Sequence, residues 1–218
     1  MIKTVAQGAL ALVFIALLIA ALWRAPINGW GSVAFLASML AINVIRAPFQ
    51  KANQANVITG KTQVTKEGIL LALVAIGGYL PIVHLATGWL SFANYSVPFW
   101  VPILGAVTLV PTLYLFWRSH KDLGRNWSVT TEIREEHVLV TNGVYKSVRH
   151  PMYTAIWLLF LMQPLLVHNW IAGLSGPIAF GIMYVIRVPY EEAMMREQFG
   201  KAYEDYCARS GRLVPKLL

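Results

Sequence analysis

Apolar runs as long as a membrane is thick leave a chain few ways to fold, and this one has several. Residues 5–23 are almost wholly apolar, and a helix needs about 20 such residues to cross the hydrocarbon core. Lys3 precedes the run, as in a signal peptide, but the run is long for one and more spans follow, which favours a retained helix. Residues 27–45 form a second span with Asn28, Ser32, Ser38 and Asn43 but no charge. Its Gly31, Ala34, Ala37 and Ala41 allow helices to pack closely. Residues 69–90, with Pro81 and His84, and residues 98–117 supply a third and a fourth. Pro81 withholds an N–H, which frees a carbonyl one turn earlier and predicts a kink.

Residues 154–190 are apolar for too long to be one ordinary span, and Pro164, His168-Asn169 and the stretch 173–177 interrupt them. The pattern predicts a helical hairpin turning near 168–170. Its first arm is about 14 residues, or about 21 Å, short of the ~30 Å core. The arm either dips into the bilayer without crossing it or is shielded by protein. The expected fold is an all-α integral membrane bundle: about four spans, then a C-terminal helical hairpin and a cytoplasmic tail helix. Two segments are expected, transmembrane helices over 1–117 and a functional core over 118–218.

Composition and charge agree. Hydrophobic residues make up 57% of the chain and charged residues 13%, against about 25% charged in a soluble domain. A net charge of +8 would suggest nucleic acid in a soluble protein. In a membrane protein it reflects the Lys and Arg of cytoplasmic loops, so no nucleic-acid partner is expected. With the amino terminus, 46–68, 118–153 and the tail on one side, that side holds 17 of the 18 Lys and Arg residues and leaves Arg24 opposite. Trp23, Trp30, Trp89 and Trp100 fall at the opposite span ends, where an aromatic belt is expected. The amino terminus and the tail are therefore expected in the cytoplasm. Cys207 is the sole cysteine, so no internal disulfide forms, and no dense ligand cluster predicts a metal site. No internal repeat marks a transporter. Polar segments gathered on one face suit an enzyme working at the membrane surface.

Two clusters carry chemistry. In the first, 143–153, Gly143 permits a positive φ, and Pro151 suits the first turn of a helix. His150 then stands at that helix's entrance, where free N–H groups favour anions, and Arg149 adds a fixed charge. Without further context this is also what a basic loop that only anchors a helix looks like. In the second, Arg187 and Glu191 share a helix face four residues apart, while Glu192 points about 100° away from Glu191. Charges at the end of an apolar helix are costly unless paired or functional, and a snorkelling Arg with a local ion pair is the plain alternative. Together the clusters offer carboxylates, guanidiniums, an imidazole and aromatic rings. That set suits a ligand with an ammonium and a carboxylate, such as S-adenosylmethionine.

The order Gly143-x-Tyr145-x-x-x-Arg149-His150-Pro151-x-Tyr153, hairpin, Arg187-x-x-x-Glu191-Glu192, Phe199-Gly200, Tyr203-x-x-Tyr206 resembles the isoprenylcysteine carboxyl methyltransferases, which belong with the membrane phospholipid methyltransferases. The segment 123–128 looks like the one that precedes the cofactor motif in bacterial members. The resemblance implies S-adenosylmethionine-dependent methyl transfer to a lipophilic acceptor at the cytoplasmic face, favouring an isoprenylcysteine-type carboxylate. It implies that Arg149, His150, Tyr153 and Glu192 contact the cofactor, Gly143 and Tyr145 shape its backbone cradle, and Tyr203 closes the pocket from the tail. Arg187 and Glu191 would face the acceptor in catalytic roles. Phospholipid amines and thiols fit the same cofactor. A sterol-reductase-like NADPH enzyme and a non-enzymatic transporter or scaffold are the readings from other classes. The sequence is silent on oligomeric state.

Overall fold

A computed structural model describes residues 2–53, 58–61, 64–128, 132–134 and 138–216; the acidic pair Glu135-Glu136 lies outside these. In chain order the helices are α1 (Ile2–Trp23), α2 (Ala25–Asn28), α3 (Trp30–Asn53), α4 (Val64–Thr87), α5 (Trp100–Leu123), α6 (Pro151–Leu166), α7 (Trp170–Phe199) and α8 (Lys201–Arg209). The spans Trp30–Ala52, Lys66–Thr87, Trp100–Leu123 and Trp170–Phe199 are long and apolar enough to cross a membrane. The chain is an integral, multi-pass, helical membrane protein. One small addition joins the loops at one end of the bundle: β1 (Ile58–Lys61) pairs antiparallel with β2 (Glu132–Arg134).

Four helices outrun the spans read from the sequence. α3 continues past residue 45 to Asn53, and α5 past 117 to Leu123, so Arg46, Lys51, Arg118 and Lys121 stand on helices and not in loops. α4 starts at Val64, which shortens the polar loop expected over 46–68. α7 runs unbroken to Phe199, so Glu191-Glu192 lies within it and not in a separate tail helix. Hydropathy marks where lipid ends, but helical hydrogen bonding continues as long as the charges find partners. Here they do: the Arg46 guanidinium lies 5.3 Å from the Phe116 ring centre, Lys121 lies 5.0 Å from that of Trp117, and Arg118 pairs with Asp122 at 3.0 Å.

α6 is the central helix, packed on α5, α7 and α3. Its Ala155, Leu159, Phe160, Gln163 and Leu166 are buried. The short hairpin arm is thus shielded by protein, the second of the two expected solutions. α4 packs along α7, and two residues explain how closely. Pro81 has no N–H to give the Gly77 carbonyl, which instead accepts from the Ser175 hydroxyl (2.7 Å) and the Gln163 amide (3.3 Å). Within a bilayer a freed carbonyl needs such a partner. Gly77 has no side chain to hold the helices apart; a Cβ there would stand 2.7 Å from that of Ala179.

The hairpin turn is held by Asn169. Its side-chain oxygen accepts from the N–H groups of Ile171 (3.1 Å) and Ala172 (2.8 Å), capping α7. Its amide donates to the Leu90 carbonyl (2.6 Å) and to Asn94 Oδ1 (2.8 Å). Tyr95 donates to the Pro164 carbonyl at 2.6 Å, satisfying the end of α6. These bonds fix the far end of the hairpin, so its near end, with Arg149-His150 and Glu191-Glu192, is held in a set position.

Candidate active site

At the near end, a 3₁₀ turn (Gly143–Lys146) leads into α6. Gly143 has φ +57°, and a Cβ on it would run into the Asp122 carboxylate, which accepts from Val144 N–H at 2.9 Å. Only glycine suits both demands. Tyr145 is buried and donates to the Ser119 carbonyl at 3.2 Å. The Tyr206 hydroxyl of α8 closes on the Tyr145 and Val148 carbonyls. The strand-like 147–150 segment also pairs with the tail: Arg149 N–H donates to the Gly211 carbonyl (2.8 Å) and His150 N–H to that of Arg212 (3.0 Å). Loop, α8 and tail therefore form one rigid wall.

The two adjacent glutamates of α7 face different partners. Glu191 accepts from Arg187 Nε (2.6 Å) and from the Tyr153 hydroxyl (2.8 Å). Arg187 also reaches Glu67 of α4 at 3.4 Å, which ties that helix to α7. Glu192 is buried, 1% exposed. It takes Arg149 Nε at 3.2 Å, His150 Nε2 at 3.3 Å, and Arg212 at 3.1 and 2.7 Å. It is a knot joining the entrance of α6, the shaft of α7 and the tail.

Burial pushes the phenols of Tyr145 and Tyr203 well above the ordinary tyrosine range. That of Tyr206 is pushed up to about 12, also chiefly by burial, with Arg149 opposing. These rings are neutral donors and stacking surfaces at physiological pH. The Arg212 guanidinium is held further in its charged form by its hydrogen bond to Glu192.

Between these groups lies a cavity of about 400 Å³, within the usual range for a ligand site. Its polar lining includes Arg149, His150, Tyr153, Arg187, Glu191 and Tyr203. Its apolar lining includes Met39, Ile42, Phe160, Phe180 and Met183. Trp127 and the 138–140 segment cover it; Trp127 Nε1 lies 3.2 Å from Met152 Sδ, and Asn126 Oδ1 accepts from Val138 N–H at 3.2 Å.

Most of the residues singled out by sequence meet at this cavity. Tyr145 borders it as well. Gly143 does not line it and shapes the turn behind; Glu192 does not line it and stands behind Arg149 and His150. Sequence reasoning missed Arg46, Phe116, Glu67 and Arg212. The signal for Arg46 was a lone charge ending an apolar run. For Arg212 no local signal existed, because its partner is twenty residues away on another element.

Residues 103–197 match the isoprenylcysteine carboxyl methyltransferase family. Protein-S-isoprenylcysteine O-methyltransferase B of Arabidopsis thaliana is 25% identical over 161 residues, 72% of this chain and 82% of that protein. Protein-S-isoprenylcysteine O-methyltransferase of Schizosaccharomyces pombe is 32% identical over 95 residues, 43% of this chain and 40% of that protein. A solved structure of the eukaryotic intramembrane Ras methyltransferase, an isoprenylcysteine carboxyl methyltransferase, has the same fold. It aligns with a TM-score of 0.50 at 24% identity, over 84% of this chain and 63% of that one.

Proposed function

We propose that this chain, whose residues 103–197 match the isoprenylcysteine carboxyl methyltransferase family, is a membrane methyltransferase that uses S-adenosylmethionine to methylate the terminal carboxylate of an S-prenylated cysteine. The observation that carries the reading is the meeting of two motifs from opposite arms of the hairpin on one cavity, joined by Tyr153 and Glu191 at 2.8 Å. The cationic loops of this end support a cytoplasmic site, and with it cytoplasmic termini.

The side chains present fit the cofactor's chemistry. Tyr153, Tyr203 and Trp127 offer faces to an adenine ring; Glu191 brings a carboxylate to the cavity for an ammonium; Arg149 brings positive charge for a carboxylate, beside the His150 imidazole. S-adenosylmethionine, when bound, supplies a methyl group already activated on a sulfonium. No metal is called for, and the described residues form no cluster that could hold one.

The protein's own contribution is position and dryness. Glu192 holds Arg149 and His150 against the cavity. Glu191 and Glu67 hold Arg187 in place on the acceptor side. Gly143 and Tyr145 keep the loop backbone in the shape that closes one wall, and Tyr203 closes another from α8. Fixing two reactants in line is worth several kcal/mol of barrier, and excluding water leaves an acceptor oxygen less solvated. The apolar lining of the cavity receives the prenyl chain. An amine acceptor would need a base to take its proton; a carboxylate needs none.

The test is direct. Purified full chain, given methyl-labelled S-adenosylmethionine and an N-acylated S-prenylcysteine, should form a base-labile methyl ester. NADPH oxidation without ester formation would reject the reading in favour of a reductase.

A further inference from the structure

We propose that Arg46 of α3 is the positioning residue that receives the acceptor's carboxylate, an inference that rests on the function proposed above. Among the described residues, three guanidiniums line the cavity: Arg46, Arg149 and Arg187. Two are already matched. Arg149 has Glu192 at 3.2 Å, and Arg187 has Glu191 at 2.6 Å and Glu67 at 3.4 Å. Arg46 enters no ion pair among the described residues, and its Nε is buried with no hydrogen-bond partner. Its contacts are aromatic: Phe116, 5.3 Å from guanidinium carbon to ring centre, and Trp127, at 6.0 Å.

An unmatched charge at the end of an apolar helix is costly unless a ligand completes it. The two rings hold the guanidinium, and its nitrogens remain to bind a planar anion. Arg46 shares the cavity with Ile42 and Met39, one and two turns back on the same helix, and with Leu71 and Tyr79 of α4. A ligand with its anionic head at Arg46 thus has its apolar tail beside α3 and α4. A prenylcysteine has that division with the reacting oxygen on the anionic group itself; a phospholipid amine reacts at a nitrogen that a guanidinium would repel when charged, and a neutral thiol has no anionic head.

The assignment has a directional consequence. Methylation turns the carboxylate into a neutral ester, so the attraction to Arg46 ends with the reaction and the product is released. Arg46 then acts on the bound acceptor more than on the transition state, where the carboxylate's charge is already falling. Its loss should appear in KM and leave kcat nearly intact.

The experiment compares binding of an N-acylated S-prenylcysteine with that of its methyl ester, with S-adenosylhomocysteine present, for wild type, Arg46→Gln and Arg46→Lys. Wild type should favour the acid by about tenfold or more, the range of a charge-assisted contact. Arg46→Gln should bind acid and ester alike and raise KM about tenfold, with kcat and S-adenosylhomocysteine affinity near wild type; Arg46→Lys should restore part of the preference. The acid–ester comparison on wild type stands even if a variant folds poorly, and no preference there overturns the proposal. So does an Arg46→Gln protein that keeps the preference, or that loses S-adenosylhomocysteine affinity instead. Wild type that prefers the acid but forms no ester would overturn the proposed activity and keep Arg46 as an anion site.

Discussion

Replacing Glu192 by glutamine keeps the side chain's shape and removes its charge, which leaves the cations around it without their anion. The cost falls unevenly. Arg149 has 11% of its side chain exposed and cannot rehydrate, whereas Arg212 and Arg196 are 47% and 49% exposed. Breaking a buried pair by removing one partner costs about 3–5 kcal/mol; exposed pairs contribute about 0–1 kcal/mol each. Nearly all the loss is therefore the stranded Arg149. For a chain of this size each kcal/mol moves the midpoint by about 2–4 °C, so Glu192→Gln should lower it by roughly 6–20 °C. Arg212→Ala should lower it by no more than about 4 °C, since its side chain and the freed edge of Glu192 can both meet water. The assay is thermal unfolding in mild detergent followed by tryptophan fluorescence, with both variants on the same day's preparation. A Glu192→Gln protein within about 2 °C of wild type, or one no worse than Arg212→Ala, would refute the buried-knot account.

Other consequences follow from the same contacts. Gly143→Ala forces a left-handed residue onto the Asp122 carboxylate and should cost about 1–3 kcal/mol, read as a lower midpoint. Tyr206→Phe removes the hydroxyl that closes α8 on the Tyr145 and Val148 carbonyls and should cost about 1–3 kcal/mol. Because the Tyr206 phenol is pushed up to about 12 in the folded protein and titrates near 10 when unfolded, its contribution is complete below pH ~10 and is lost as pH rises toward 12. Wild type should lose stability across that window, and Tyr206→Phe should lose less. Arg187→Lys keeps the charge but not the fork that spans Glu191 and Glu67; turnover should fall by more than S-adenosylhomocysteine affinity, and equal losses would contradict its place on the acceptor side.

The helices were legible because lipid demands long apolar runs, and the hairpin because His168-Asn169 breaks one. Helix ends were not, because hydropathy stops at Arg46 or Arg118 while the backbone goes on: those charges rest on Phe116 and Asp122, partners that one-dimensional patterning does not reveal. The short β1–β2 pair lies in the same blind spot, since its strands come from loops far apart in sequence. Within the site, spacing predicted that Arg187 and Glu191 share a face and that Glu192 points elsewhere, and both hold. Gly143 was legible as a positive-φ residue, but not that Asp122 fills the space a side chain would need. Arg46 and Arg212 reach the site only through tertiary packing, so no local pattern pointed to their partners.

Calorimetry on the purified full chain with S-adenosylhomocysteine, beside NADPH, tests the central claim most directly. Micromolar binding of the adenosyl ligand, weakened in His150→Ala with the fold intact, is the predicted result. NADPH binding alone, or neither ligand bound by protein shown to be folded, would contradict it.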